Sequence, residues 1–290
     1  MSNPAAADSV VQLMKEASEA NFEDSFRNGS IIEFPGDGDL LMTGDLHGNH
    51  KNYMKVVEKA GLSRNRKRHL ILHEIIHSLT HTADGLDMSY QVFEMAARLK
   101  VYFPDQVHFL MGNHDIGDLL MLDILKGGQS ALKGMERGLA VAYGEGKDEV
   151  RASYHEFIQS MPVAARTATG IFISHSIPQM KYLDMFSLEV FHRRIEPEEL
   201  SRDGYVYRLV WGRQFTQEAA DAFAEKVNAD LLICGHQPLE DGYALPNSRQ
   251  MILDSKDDKG CYAMIPLEEK LSLNKLVTNV RRIRTHQPVL

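Results

Sequence analysis

A chain of 290 residues, 43% hydrophobic and 25% charged, has the composition of a soluble globular protein long enough to bury a full core, as one large domain or two small ones. Its formal net charge of −8, with no long basic stretch to offset it, excludes broad nucleic-acid binding. No apolar run approaches a membrane span, and the N-terminus lacks the basic start and apolar core of a secretory signal, so no membrane role is expected. Cys234 and Cys261 sit in apolar surroundings and read as unpaired thiols in a reducing compartment, so the expected location is cytoplasmic. The oligomeric state is left open.

Residues 1–8 read as a disordered start. Val10, Leu13, Met14, Ala17 and Ala20 recur at helical intervals, predicting an amphipathic helix from Val10 to Phe26 stopped by Asn28-Gly29. Ile31–Phe34 and Leu40–Thr43 read as strands of a hairpin around Pro35-Gly36-Asp37-Gly38. A helix from Asn49 to about Ala60, ended by Gly61, precedes a strand at His69–Leu72, an order that implies a right-handed crossover and a parallel pair. The pattern recurs with a helix at Met88–Lys100 and a strand at Gln106–Met111. Residues 117–160 are mostly helical and interrupted by glycines, as in a cap or side lobe. A strand at Ile171–Ser174, a charged segment at Glu196–Arg202, a helix at Gln217–Asn228 and a strand at Leu231–Cys234 follow. With no repeat, low-complexity tract or linker, the expected organisation is a helical extension over 1–30, one domain over 31–270 and a tail over 271–290. The basic run Arg281-Arg282-Ile283-Arg284 in that tail reads as a solvated terminus.

The strand ends carry the chemistry. Asp45 and His47, in Thr43-Gly44-Asp45-Leu46-His47-Gly48-Asn49, are two apart, so in an extended backbone both leave the same face and can converge on one ion. Alone, that pair is equally a polar turn. Strand ends at Gly112-Asn113-His114-Asp115, at His175, at Gly235-His236 and after Leu72 then deliver the same kinds of group to one parallel-type sheet, whose ligands gather at the carboxyl ends. Mixed oxygen and imidazole donors suit Mn, Fe or Zn.

The ordered blocks Gly44-Asp45-Leu46-His47-Gly48, Gly112-Asn113-His114-Asp115, His175 and Gly235-His236-Gln237 resemble those of calcineurin-like metallophosphoesterases, specifically the phosphoprotein Ser/Thr phosphatase branch. Lys100-Val101-Tyr102-Phe103-Pro104-Asp105, Met161-Pro162-Val163-Ala164-Ala165 and Glu240-Asp241-Gly242-Tyr243 extend the likeness, which covers roughly residues 38–268. The resemblance implies an α/β fold, a four-layer β-sandwich of mixed sheets flanked by helices, with two divalent metal ions that hydrolyse phosphomonoesters of a phosphorylated protein or a small phosphoester. It assigns Asp45, His47 and Glu74 to one ion and Glu74, Asn113, His175 and His236 to the other, with Glu74 bridging. His114 would protonate the leaving alkoxide, with Asp115 beside it among the catalytic candidates, and Arg213 would bind phosphate. Tyr243 would lie at the rim, or equally be a half-buried aromatic.

The second block departs from the family's Gly-Asp-x-x-Asp-Arg and reads His73-Glu74-Ile75-Ile76-His77-Ser78. Glu74 is one methylene longer than the bridging Asp and needs a backbone shift to reach both ions. His77 replaces the carboxylate that would orient His114, a loss that Asp115 or Asp118 could compensate, and Ser78 replaces a phosphate-binding arginine. Three alternatives follow: a phosphatase-fold binding protein with an impaired site, a hydrolase of nucleotide polyphosphates, and a zinc protease. The last uses His73-Glu74-x-x-His77, with Glu94 as a third ligand, and requires a helix there.

Overall fold

The computed structural model describes residues 4–126 and 128–290; the start of the segment expected to be disordered, and Gly127, lie outside them. In chain order the protein builds α1 (Pro4–Phe22), β1 (Arg27–Asn28), β2 (Ile31–Phe34), β3 (Asp39–Asp45), α2 (His50–Ala60), β4 (Arg68–His73), α3 (Ser89–Tyr102), β5 (Val107–Leu110) and α4 (Asn113–Leu119). A small hairpin, β6 (Leu125–Lys126) with β7 (Gln129–Ser130), leads to α5 (Ala131–Tyr143) and α6 (Lys147–Ser160). After β8 (Ala164–Thr167) and β9 (Ile171–Ser174) come the short helices α7 (Met180–Leu183), α8 (Glu189–His192), α9 (Pro197–Leu200) and α10 (Tyr205–Val210), then α11 (Gln217–Lys226). The chain finishes with β10 (Leu231–Cys234), β11 (Tyr243–Ala244), β12 (Gln250–Leu253), β13 (Cys261–Pro266), α12 (Leu273–Val277) and β14 (Val280–Arg282).

These strands form two mixed sheets, one ordered β1-β2-β8-β9-β10-β12-β11 and the other β14-β13-β3-β4-β5. Strand alternation explains the layering. Leu40, Met42, Ile71, Ile171, Ile173, Leu231 and Ile233 belong to a core between the sheets, whereas their chain neighbours Leu41, Leu70, Leu72, Phe172 and Leu232 belong to the core shared with the helices. On the five-stranded sheet, Phe109 meets Phe157 of α6, whose ring also meets Phe93 of α3. On the seven-stranded sheet, Phe172 meets Phe191 of α8 and Phe223 of α11. The expected fold of mixed sheets flanked by helices is the one observed.

Three expectations are corrected. The turn at 35–38 does not close a hairpin: β2 pairs with β1 and β8, while β3 pairs with β4 and β13 in the other sheet. Turn-forming residues fix a reversal but not the partner of the outgoing strand. The strand ends also do not share one sheet. β3, β4 and β5 run parallel in the five-stranded sheet, and β9, β10 and β12 run parallel in the seven-stranded one. The first helix stops at Phe22, because Asp24 is drawn inward to a buried polar cluster.

In that cluster Lys100 Nζ (2.7 Å) and His108 Nδ1 (2.8 Å) converge on Asp24 Oδ2, and His108 Nε2 lies 3.1 Å from His69 Nδ1. Burial, then the neighbouring His108, pushes the His69 pKa down from its ordinary 6.5 to about 4. Below about pH 6.5 the unfolded chain therefore binds a proton that the folded chain refuses, and stability falls as pH drops towards 4. Urea titrations at pH 7.5 and about pH 4.5 should show a loss on the order of 2 kcal/mol from this group. The loss should be shallower in His69→Phe, which keeps the ring contacts with Phe26 and Phe34.

Candidate metal centre

The carboxyl ends of the two parallel sets face one another at one end of the sandwich, and glycines let them approach. A Cβ on Gly44 would collide with the Leu253 carbonyl, and one on Gly235 would collide with Asp45 Oδ1. A Cβ on Gly112 would stand 2.6 Å from Glu74 Oε1 and 3.1 Å from the His175 ring. The contact is held by Ser255 Oγ, which accepts from Gly44 N at 2.9 Å, and by a parallel bridge between Asp45 and Asp254. Beyond the strands the backbone twists sharply. Seven non-glycine residues have positive φ among the described residues, and His47 (45°), Glu74 (34°), His77 (62°) and His236 (69°) are four of them. Left-handed backbone at non-glycine residues costs about 1–3 kcal/mol each and clusters at functional sites.

Asp45, His47, Glu74, Asn113, His175 and His236 are all buried and their donor atoms converge. Asn113 Oδ1 lies 2.9 Å from His175 Nε2 and 2.7 Å from His236 Nδ1, and those two ring nitrogens are 3.1 Å apart. Glu74 Oε1 is 3.5 Å from His175 Nε2, while Oε2 is 3.4 Å from His47 Nε2. Asp45 Oδ1 lies 3.7 Å from His175 Nδ1, and Oδ2 accepts from His236 N at 2.8 Å. Two three-donor groups result, His47–Glu74–His114 and Asp45–Glu74–His175, with Glu74 common to both. Donors about 2.1 Å from one ion lie about 3 Å apart when they subtend a right angle, which matches the Asn113–His175–His236 spacing. The donor set therefore fits divalent ions, and its mix of oxygen and imidazole suits Mn, Fe or Zn.

Around these donors lies a cleft of about 340 Å³, lined by Asp45, His47, Glu74, Asn113, His114 and His236 and walled by Arg213 and Lys256. His175 is fully buried beneath it. Among the described residues no carboxylate pairs with Arg213, whereas Lys256 is paired with Asp254. Burial lowers the Lys256 pKa from its ordinary value. Lys256 and Asp254 follow β12 in a stretch with no motif, and reading the sequence did not single them out. Asp115 does not face the cleft. Its Oδ2 accepts from Gly112 N at 2.7 Å as a cap on α4, and burial, then the nearby Glu74, raises its pKa well above the carboxylate range. Tyr243 lies on the edge strand β11, partly buried against the inter-sheet core, and does not line the cleft.

The protease alternative fails on local structure. β4 runs through His73, and residues 74–80 form no helix, so the two histidines share no helical face. The His73 ring is fully buried with its pKa pushed down to about 3, by burial and then by His175. Glu94 accepts instead from the Tyr143 and Tyr154 hydroxyls in the helical layer. His77 Nδ1 lies 3.0 Å from His114 Nδ1, and its Nε2 lies 2.8 Å from Asp118 Oδ2.

Residues 39–240, most of the chain, match the family model for calcineurin-like phosphoesterases. The chain belongs to this family. Its likeness to other members is distant. A probable serine/threonine-protein phosphatase of Encephalitozoon cuniculi is 19% identical over 240 residues, and a serine/threonine-protein phosphatase of Caenorhabditis elegans is 20% identical over 241. Both alignments take in 77% of this chain and 48% of the relative, so the chain spans about half the length of the curated relatives it matches. Among solved structures, a protein serine/threonine phosphatase from Saccharomyces cerevisiae superposes with a TM-score of 0.66 at 14% identity, covering 89% of this chain and 81% of that one. A cold-active protein-tyrosine phosphatase of a Shewanella species does so at 0.54 and 13%, covering 86% and 80%. Both share the phosphoesterase fold.

The close approaches yield a test that removes no donor atom. Gly235→Ala should displace the Asp45 carboxylate and lower the manganese or zinc retained after dialysis by about tenfold or more, the effect expected of disturbing a group that supports a metal site. Far-ultraviolet circular dichroism should stay unchanged, and metal content measured by inductively coupled plasma spectrometry gives the readout.

Proposed function

We propose that this phosphoesterase is a metal-dependent phosphomonoesterase acting on phosphorylated serine or threonine in proteins. The observation that carries this reading is the Glu74 carboxylate, whose two oxygens face His47 on one side and His175 on the other. Asp45, His47 and Glu74 would hold one ion, and Glu74, Asn113, His175 and His236 a second. When bound, such a pair supplies Lewis acidity towards the phosphoryl oxygens and lowers the pKa of the attacking water.

The chain's own groups have complementary tasks. Arg213 and Lys256 flank the donor cluster with positive charge, where a phosphate dianion would lie, and the planar guanidinium can bind two of its oxygens at once. Lys256 takes the part that an arginine at position 78 would have played, because Ser78 turns away, its N–H bound to Asp87 and its hydroxyl donating to the Thr80 carbonyl. His114 lines the cleft next to Asn113 and delivers a proton to the leaving alkoxide. Buried free thiols at Cys234 and Cys261, with pKa values pushed up to about 12 and about 11, chiefly by burial, support placement in the reducing cytoplasm.

Mn-loaded protein should hydrolyse p-nitrophenyl phosphate, and Asp45→Asn or Asn113→Ala should reduce turnover to background. Unchanged turnover in both variants would sink the assignment. No turnover with any divalent metal would favour a binding protein on the same fold. Arg213→Ala and Lys256→Ala should each raise KM about 10-fold to 100-fold, the loss expected for a hydrogen bond to a charged group. Lys256→Arg should recover most of its share.

A further inference from the structure

We infer that His77 is a positioning residue that, anchored by Asp118, fixes the tautomer and direction of the His114 ring, so that a buried His–Asp pair replaces the single carboxylate expected beside His114. This rests on the phosphomonoesterase reading of the cleft only for its kinetic consequence; the arrangement itself stands on geometry.

His77 is fully buried, its backbone N donates to Ser89 Oγ at 3.0 Å, and its two ring nitrogens each meet one polar partner. Nδ1 is 3.0 Å from His114 Nδ1 and Nε2 is 2.8 Å from Asp118 Oδ2. Asp118 stands on α4 one turn after His114, an (i, i+4) pair on the same helix face. Two groups on α6 grip it from the far side: Arg151 lies 3.2 and 3.1 Å from its two oxygens, and His155 Nε2 is 2.9 Å from Oδ1. Burial alone would raise this carboxyl, but His155, His77 and Arg151 hold it well below the usual carboxylate range.

We assign a single proton to the His77 ring. An ionised carboxylate only accepts, so that proton sits on Nε2 in the contact with Asp118, and Nδ1 offers a lone pair. Two ring nitrogens 3.0 Å apart need one donor, so His114 donates from Nδ1. The proton passed to the leaving alkoxide therefore comes from the other nitrogen, Nε2, of a doubly protonated His114 ring, which lines the cleft and keeps its Nδ1–H bond to His77 when that proton has left. A carboxylate directly beside His114 would do the same with one link; here two links do it, and the negative charge sits one imidazole further away.

Two experiments test this. In 15N-labelled intact protein prepared without metal, long-range histidine correlation spectra at pH 7.5 should show the Nε2–H tautomer for His77 and a proton on Nδ1 of His114, whether or not its Nε2 is also protonated. An Nδ1–H tautomer, or a doubly protonated ring, at His77 overturns the inference whatever the enzyme's activity. The second compares leaving groups in the metal-loaded protein. His77→Leu should lower kcat for phenyl phosphate by about 100-fold, as expected when a proton donor is misplaced, with KM little changed. For p-nitrophenyl phosphate, whose better leaving group needs less help, the loss should be about threefold or smaller. His77→Asp, which returns a carboxylate to His114, should restore most of the phenyl phosphate rate. Equal losses on both substrates, or no recovery in His77→Asp with circular dichroism unchanged, would overturn it. If wild-type protein hydrolyses neither substrate, the phosphomonoesterase reading fails, while the spectra still decide the tautomers.

Discussion

The site depends on steric clearance between two β-sheets. A sandwich of this kind keeps its sheets about 10 Å apart, because side chains fill the space between them. That spacing is too wide for donors from both sheets to share an ion. At one end of this sandwich it collapses locally, because Gly44, Gly112 and Gly235 place no Cβ where the opposing chain passes. Strand alternation sends Leu40, Met42, Ile171 and Ile173 into the inter-sheet core and carries His175 to its edge, whereas Asp45, out of phase with Leu40 and Met42, follows a register shift in β3 between Met42 and Asp45. Apolar packing and that irregularity together set how the polar groups meet.

A second consequence concerns Glu74. A glutamate in the place of an aspartate is one methylene too long for an unaltered backbone. The chain accommodates it by turning left-handed at Glu74 itself, directly after β4 ends, so that its carboxylate lies between His47 and His175. The backbone N–H of His114 donates to its Oε1 at 2.8 Å and fixes that orientation. The irregular second block is thus matched by irregular backbone, with His77 turning left-handed three residues later.

The strand ends were legible in the sequence because an apolar run that stops at Asp, Asn or His is both a secondary-structure signal and a chemical one. Asp45 groups with Glu74 and His175, His47 with Glu74 and His114, and Asn113 meets His175 and His236; the extended backbone expected to turn Asp45 and His47 to one face ends at Asp45, and His47 is left-handed. Which sheet each strand joins was not legible. Leu40–Thr43 carries no mark of pairing with β13 more than two hundred residues later, and Pro35-Gly36-Asp37-Gly38 looks the same whether the chain returns to its own sheet or changes sheets. Contacts between single residues on separate elements were hidden for a similar reason. His114 and Asp118 share one face of α4, but the insertion of His77 between them depends on a bend at 76–77 that no periodicity announces. The His-Glu-x-x-His string shows the converse, since its meaning depends on a helix that β4 forecloses.

The first helix sets the size of the unit that must fold together. Val10, Leu13, Met14 and Ala17 of α1 lie in the core shared with the helical layer, and Asn21 donates to Ser160 at the end of α6. Yet α1, β1 and β2 all precede residue 39, where family recognition begins, and β12 and β13 follow residue 240, where it ends. Those last two strands are interior members of their sheets, and Lys256 lies between them. Homology here outlines the chemistry and understates the architecture. A fragment cut to the recognisable segment would keep the converging polar residues while losing a wall of their cleft and the strands that hold the two sheets in register.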